Sequence, residues 1–244
     1  MSIRTITYIT VAVLLLRLVS LGSYPLMDKT EARYGEISRV MSETGNWVTP
    51  QLEPGVPFWG KPPLAFWSSA LAFKSLSTNE FAARLPHFLF GLLVLLLVYQ
   101  FAKSQIDINE RIWSTVLTAT SVPFLIIVGG VMTDGALLFA VTLSLVSFWN
   151  AQSNEKKNDN YWRYLFFVGI GLGMLAKGPI SLILIGAPIS LWMVLSKERV
   201  IDVLAKFPWI IGIILAALIC VPWYYIAEQK TPGCVEYCYV GEHW

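Results

Sequence analysis

Charged side chains are scarce in this chain. Asp, Glu, Lys and Arg make up 14% of its 244 residues against 55% hydrophobic, and mean hydropathy is +0.59. That balance excludes a soluble globular domain and places the chain among integral membrane proteins. Histidine is rarer still, with two residues, and there are three cysteines, too few for a disulfide-built fold. The chain has no Walker-type glycine loop, no internal repeat and no soluble stretch long enough to bind a sugar nucleotide. A net charge of +2 singles out no partner, and no nucleic acid is expected.

What is present is a series of seven apolar runs, at 6–22, 85–102, 112–128, 132–149, 161–176, 179–195 and 207–227. Each is near the roughly 20 residues that carry a helix across about 30 Å of hydrocarbon. The expected fold is an all-α integral membrane bundle of about seven transmembrane helices. The first run has no small-residue cleavage site behind it and is interrupted by Arg17, so it reads as a retained anchor rather than a signal peptide. Lys103, Arg111, Lys156, Lys157, Arg163, Lys197, Arg199 and Lys206 crowd alternate short loops. The positive-inside rule then puts the N-terminus in the cytoplasm. With that orientation Asp28, Glu31, Lys61, Arg84, Asp134, Lys177, Glu242 and His243 gather on the outer face.

The outer loop at 22–84 is the polar part of the chain. Asp28-x-x-Glu31 has capping-box spacing. Tyr34, Ile37, Val40 and Met41 then fall on one helical face and Arg33, Glu36, Arg39 and Glu43 on the other, with Gly45 as a stop. This predicts a short amphipathic helix along the membrane surface. Prolines at 50, 54 and 57 keep 46–58 irregular. The apolar stretch 64–73 is ended by Lys74 at about half a bilayer's length and predicts a second interfacial or re-entrant helix.

An ordered series of motifs carries a resemblance. Thr30-Glu-Ala-Arg-Tyr-Gly-Glu-Ile-Ser38, Gly45-Asn-Trp-Val-Thr-Pro50, Val56-Pro-Phe-Trp-Gly-Lys-Pro-Pro-Leu64 and Glu80-Phe-Ala-Ala-Arg-Leu-Pro86 come first. Thr133-Asp-Gly135, Leu175-Ala-Lys-Gly-Pro179, Val221-Pro-Trp-Tyr224 and Gly241-Glu-His-Trp244 follow. Over essentially the whole chain this resembles the aminoarabinose-transferase branch of the protein mannosyltransferase-like GT-C glycosyltransferases. The resemblance implies transfer of a sugar from a polyprenyl-phosphate carrier, at the outer face of the bacterial inner membrane. The implied acceptor is a lipid A-like glycolipid, another glycan or a protein, with membrane lipids as further partners. Members of that family are usually much longer. Residues 1–244 therefore correspond to an N-terminal transmembrane catalytic module, with the C-terminal part of the family architecture absent. The competing readings are a transporter, a non-catalytic lipid-binding membrane subunit and an inactive truncated fragment. A transporter places ionisable groups near the bilayer middle, whereas these runs are nearly charge-free apart from Arg17.

Sugar transfer from a lipid phosphate needs a carboxylate to orient or deprotonate the acceptor, and cations to hold the phosphate as its charge grows. The catalytic candidates are Asp28, Glu31 and Asp134, of which Asp28 and Asp134 also read as helix N-caps. Relatives often carry an acid where this chain has Thr30. The candidate phosphate and lipid-carrier ligands are Arg33, Lys61, Arg84 and Lys177. Lys61 otherwise snorkels, Arg84 otherwise pairs with Glu80 one turn away, and Lys177 either snorkels or faces a polar pocket. For a divalent metal ion the candidates are Glu31, Glu242 and His243. Some relatives add a carboxylate before the Lys-Pro-Pro, where Gly60 stands here. Trp59 is a candidate for stacking on a sugar. Cys234 and Cys238, four apart, suit free thiols better than a disulfide.

Overall fold

A computed structural model describes residues 3–103, 107–153, 161–196 and 199–241, and most of them are helical. The chain enters through α1 (Ile3–Ser20) and crosses a short segment into α2 (Lys29–Thr44). A small antiparallel hairpin follows, β1 (Gln51–Glu53) and β2 (Val56–Pro57). After it come α3 (Leu64–Leu76) and α4 (Glu80–Lys103). Next are α5 (Ile108–Thr120), α6 (Val122–Ile127), α7 (Thr133–Ser153), α8 (Tyr161–Lys177) and α9 (Ile180–Ser196). The chain closes with α10 (Val200–Ala205), α11 (Trp209–Lys230), the single turn α12 (Cys234–Glu236) and a π-helical turn at Tyr237–Gly241.

Among the described residues α4, α7 and α11 are long and apolar enough to cross a membrane, and α9 is a shorter apolar helix. Two of the expected runs have different limits. The run at 112–128 is two helices, because Ser121 is extended and Pro123, with no N–H, starts α6 rather than continuing α5. The run at 85–102 begins at Glu80, which draws Arg84 and His87 inside a helix. The amphipathic α2 has its expected faces: Tyr34, Ile37, Val40 and Met41 are buried and Gly45 ends the helix in the left-handed region at φ +70°. Its buried side packs on Phe66, Ala70 and Phe73 of α3. All three cysteines are free thiols.

The centre of the bundle is α8, packed between α7 and α11, and three alternating glycines make that possible. Residues four apart share a helical face, while residues two apart point nearly opposite ways. Gly169 and Gly173 thus face α7 and the start of α9: a Cβ at Gly169 would stand 2.8 Å from the Ala140 carbonyl oxygen, and one at Gly173 2.8 Å from Ser181 Cβ. Gly171 faces the other side, where a Cβ would stand 3.0 Å from the Ala216 carbonyl oxygen of α11. Small residues that let helix backbones touch are a usual route to tight packing in lipid. Gly169→Val is therefore expected to lower stability by about 1–3 kcal/mol, read as a lower thermal midpoint in detergent. Gly186→Ala, a position with nothing within 4 Å, is the control that stays near wild type.

Candidate active site

Two ion pairs organise the end of the bundle where α1 finishes and α7 begins. The first is buried. Arg84, fully enclosed in α4, donates from Nε to Glu31 Oε1 at 2.7 Å and from Nη2 to Glu31 Oε2 at 2.9 Å. Its remaining donors go to main-chain carbonyls just past α1: Leu21 at 2.6 Å and Tyr24 at 2.8 Å from Nη1, and Pro25 at 3.0 Å from Nη2. A chain leaving a helix has carbonyls with no helical partner, and Arg84 supplies three of them. A guanidinium has five N–H donors, so none remains for a phosphate. Glu31 Oε1 also accepts the Val131 N–H at 3.2 Å. The Tyr24 ring lies 3.9 Å from the guanidinium carbon.

The second pair is partly open. Lys177 Nζ donates to Asp134 Oδ1 at 2.8 Å, with side chains 28% and 42% exposed. Both positions follow from helix geometry. Asp134 lies in the first turn of α7, where a helix favours anions, and Lys177 is the last residue of α8, where it favours cations. Because the Gly178 φ of +70° turns the chain back towards α9, α8 ends at the lysine.

Lys61, on the Gly60–Pro63 segment leading into α3, is held electrostatically among Lys177, Asp134, Cys238 and Arg33. Burial pushes its ammonium below the usual lysine range, Lys177 adds to that effect, and Asp134 opposes it. Arg33 lies over the rings of Tyr34 and Phe58, 5.3 Å and 5.4 Å from their centres, and its buried Nε has no hydrogen-bond partner among the described residues. Burial raises the Tyr34 phenol, and Arg33 partly offsets this. Neighbouring segments are pinned by indoles: Trp67 Nε1 donates to the Trp47 carbonyl at 2.6 Å and Trp223 Nε1 to the Val48 carbonyl at 2.8 Å. Trp59 packs 6.1 Å from the Tyr237 ring, and its carbonyl accepts the Cys238 thiol at 2.9 Å.

The residues expected from the sequence thus divide. Asp134 and Lys177 pair, and Lys61 lies within electrostatic reach of both and of Arg33. Arg84 and Glu31 are consumed by one another, not by Glu80 or by a ligand. Asp28 is the N-cap of α2, its Oδ1 accepting from the N–H groups of Thr30 at 2.8 Å and Glu31 at 3.2 Å. Half of the capping box is therefore made, while Glu31 turns away to Arg84. As a metal ligand Glu31 is a poor fit, since both carboxylate oxygens are bound. Glu242 and His243 lie outside the described residues, among which no cluster of three His, Cys, Asp or Glu has a metal-binding arrangement. His87 serves packing. Its Nε2 lies 3.1 Å from Ser69 Oγ, which is also 2.8 Å from the Ala83 carbonyl oxygen. Tyr34, on the buried face of α2, lies under the Arg33 guanidinium.

Comparison with known proteins places the chain as a whole. The arabinosyl transferase of Wigglesworthia glossinidia brevipalpis, named for undecaprenyl phosphate-alpha-4-amino-4-deoxy-L-arabinose, is 30% identical over 190 residues, 77% of this chain and 34% of that protein. Its namesake in Enterobacter sp. (strain 638) is 32% identical over 240 residues, 94% of this chain and 41% of that protein. The chain thus spans well under half the length of these relatives. The crystal structure of ArnT from Cupriavidus metallidurans in the apo state matches 98% of this chain and 44% of its own, with TM-score 0.89 at 24% identity. The same protein bound to undecaprenyl phosphate gives TM-score 0.86 at 22% identity. At that identity the structures establish a shared fold. A model of the dolichyl-phosphate-mannose-protein mannosyltransferase family matches residues 2–238, and the chain belongs to that family.

Proposed function

We propose that this chain is the N-terminal catalytic module of a membrane glycosyltransferase that takes its sugar from a polyprenyl-phosphate carrier. The observation that carries this is the Lys177–Asp134 pair at 2.8 Å, with Lys61 within electrostatic reach of both and of Arg33. In the reaction the bond from the anomeric carbon to the phosphate oxygen breaks as a bond to the acceptor oxygen forms. Lys61, Lys177 and Arg33 hold the departing phosphate, whose negative charge grows in the transition state. Asp134 orients the acceptor hydroxyl and takes its proton. Arg84 and Glu31 act one step back, fixing α1, α2 and α4 so that Arg33 is held in place. The relatives' names favour undecaprenyl phosphate as carrier and an aminoarabinose as sugar; the acceptor is a glycolipid, a glycan or a protein. The proposed setting is a bacterial inner membrane, with seven crossings, α2 and α3 at the interface, a cytoplasmic N-terminus and the site on the outer face.

Native mass spectrometry of the purified chain with undecaprenyl phosphate tests this directly. Retention of the phosphate and not of the neutral alcohol undecaprenol supports the reading, and equal retention of both refutes it. The same binding has a pH signature. Lys61 titrates below the usual 10.5, so phosphate affinity is expected to fall as pH rises through its lowered value. Folding stability moves the other way. Between that value and 10.5 the unfolded chain holds the lysine proton more tightly, so stability rises with pH across the window. Phosphate affinity that stays flat up to pH 10.5 would remove Lys61 from the site.

A further inference from the structure

Arg17 stands in the last turn of α1, among the apolar residues Leu14, Leu16 and Leu18. An arginine on a membrane helix normally snorkels to water or pairs with a carboxylate. This one folds back onto the protein. Nη1 donates to Ser20 Oγ at 3.3 Å and to the Tyr24 hydroxyl at 3.2 Å, while the buried Nε has no partner and no carboxylate pairs with it among the described residues. Gly129 makes the room, since a Cβ there would collide with the guanidinium. The Tyr24 hydroxyl donates to the Gly129 carbonyl at 3.2 Å, which fixes the arrangement. Beside it an open groove of about 450 Å³ runs between α1 and α6, walled by Val13, Leu16, Val122, Leu125 and Ile126 with Arg17 and Ser20 in its lining. Leu16, Val122 and Ile126 are largely exposed, as lipid-facing side chains are.

We propose that this groove binds one anionic phospholipid, its phosphodiester beside the Arg17 guanidinium in the groove's lining and an acyl chain along the apolar wall. Charge decides the occupant. The wall alone suits any hydrocarbon, but an uncompensated cation at a lipid-facing position selects a headgroup with net negative charge over a zwitterionic one. The site is separate from the one proposed for catalysis and rests only on the chain's residence in a membrane.

The test is native mass spectrometry of the full chain from micelles holding equal phosphatidylglycerol and phosphatidylcholine. Wild type is expected to keep one phosphatidylglycerol through delipidation, and Arg17→Gln to retain roughly tenfold less. Leu125→Trp, which fills the groove and leaves the cation, is expected to lose it as well, and this variant serves if Arg17→Gln does not fold. Lys61→Met is expected to retain the lipid, which separates this site from the carrier site. Equal retention of the two phospholipids by wild type, unchanged retention by both groove variants, or displacement of the lipid by undecaprenyl phosphate overturns the proposal.

Discussion

Glu31→Gln is expected to destabilise the protein by about 3–5 kcal/mol, the penalty for leaving one member of a buried ion pair without its partner. Arg84 is fully enclosed and Glu31 is 5% exposed, so water cannot take over the lost charge. The amide also presents an NH₂ to a guanidinium that can only donate, turning one of two charge-assisted contacts into a clash of donors. Three carbonyls beyond α1 and the Val131 N–H share the network, and such networks fail together. The measurement is the thermal midpoint of tryptophan fluorescence in detergent, with size-exclusion to detect aggregation. A double change, Glu31→Leu with Arg84→Met, is expected to be milder than Glu31→Gln, because no charge is then buried alone. A midpoint within a few degrees of wild type for Glu31→Gln would show that the pair does not hold the fold.

Lys61→Met is expected to slow sugar transfer by roughly 10²–10³-fold, the usual effect of removing one donor from a developing oxyanion, with the thermal midpoint little changed. The contrast with Glu31 is physical. Lys61 sits in a partly open site whose burial disfavours its charge, so its replacement is expected to cost folding little while removing a cation from the phosphate. Methionine keeps the length and apolar stem of the lysine and removes only the charge. Where transfer is too slow to follow, affinity for undecaprenyl phosphate is the readout, with a fall of roughly tenfold expected for one charge-assisted contact. Asp134→Asn separates the roles: it removes the proposed base and frees Lys177, so transfer is expected to drop while phosphate binding holds or tightens. Wild-type transfer and binding by Lys61→Met would move the phosphate site elsewhere.

The sites of chemistry were legible to different degrees. The conjunction of Asp28, Glu31 and Gly45 marked the limits of α2, and the spacing of Tyr34, Ile37, Val40 and Met41 marked its buried face, because capping and periodicity are set within a few residues. Lys177 and Asp134 were visible as charges at the ends of apolar runs, but not as partners. They lie 43 residues apart and meet because α7 and α8 pack with the start of one beside the end of the other. The role of Arg84 was hidden for a similar reason. Its partner is 53 residues away, and only a count of its five donors shows that none is left for a phosphate.

Composition and local pattern were enough to determine a helical membrane protein, a capped amphipathic helix in the loop after α1, and a short roster of charged residues from which a site had to be built. Which of those charges face each other, and which are used up in holding the chain, the tertiary structure alone decided. Helix ends and caps obey short-range sterics and hydrogen bonding. Ion pairing depends on which ends the packed helices bring together and on how few donors and acceptors each group has to spend.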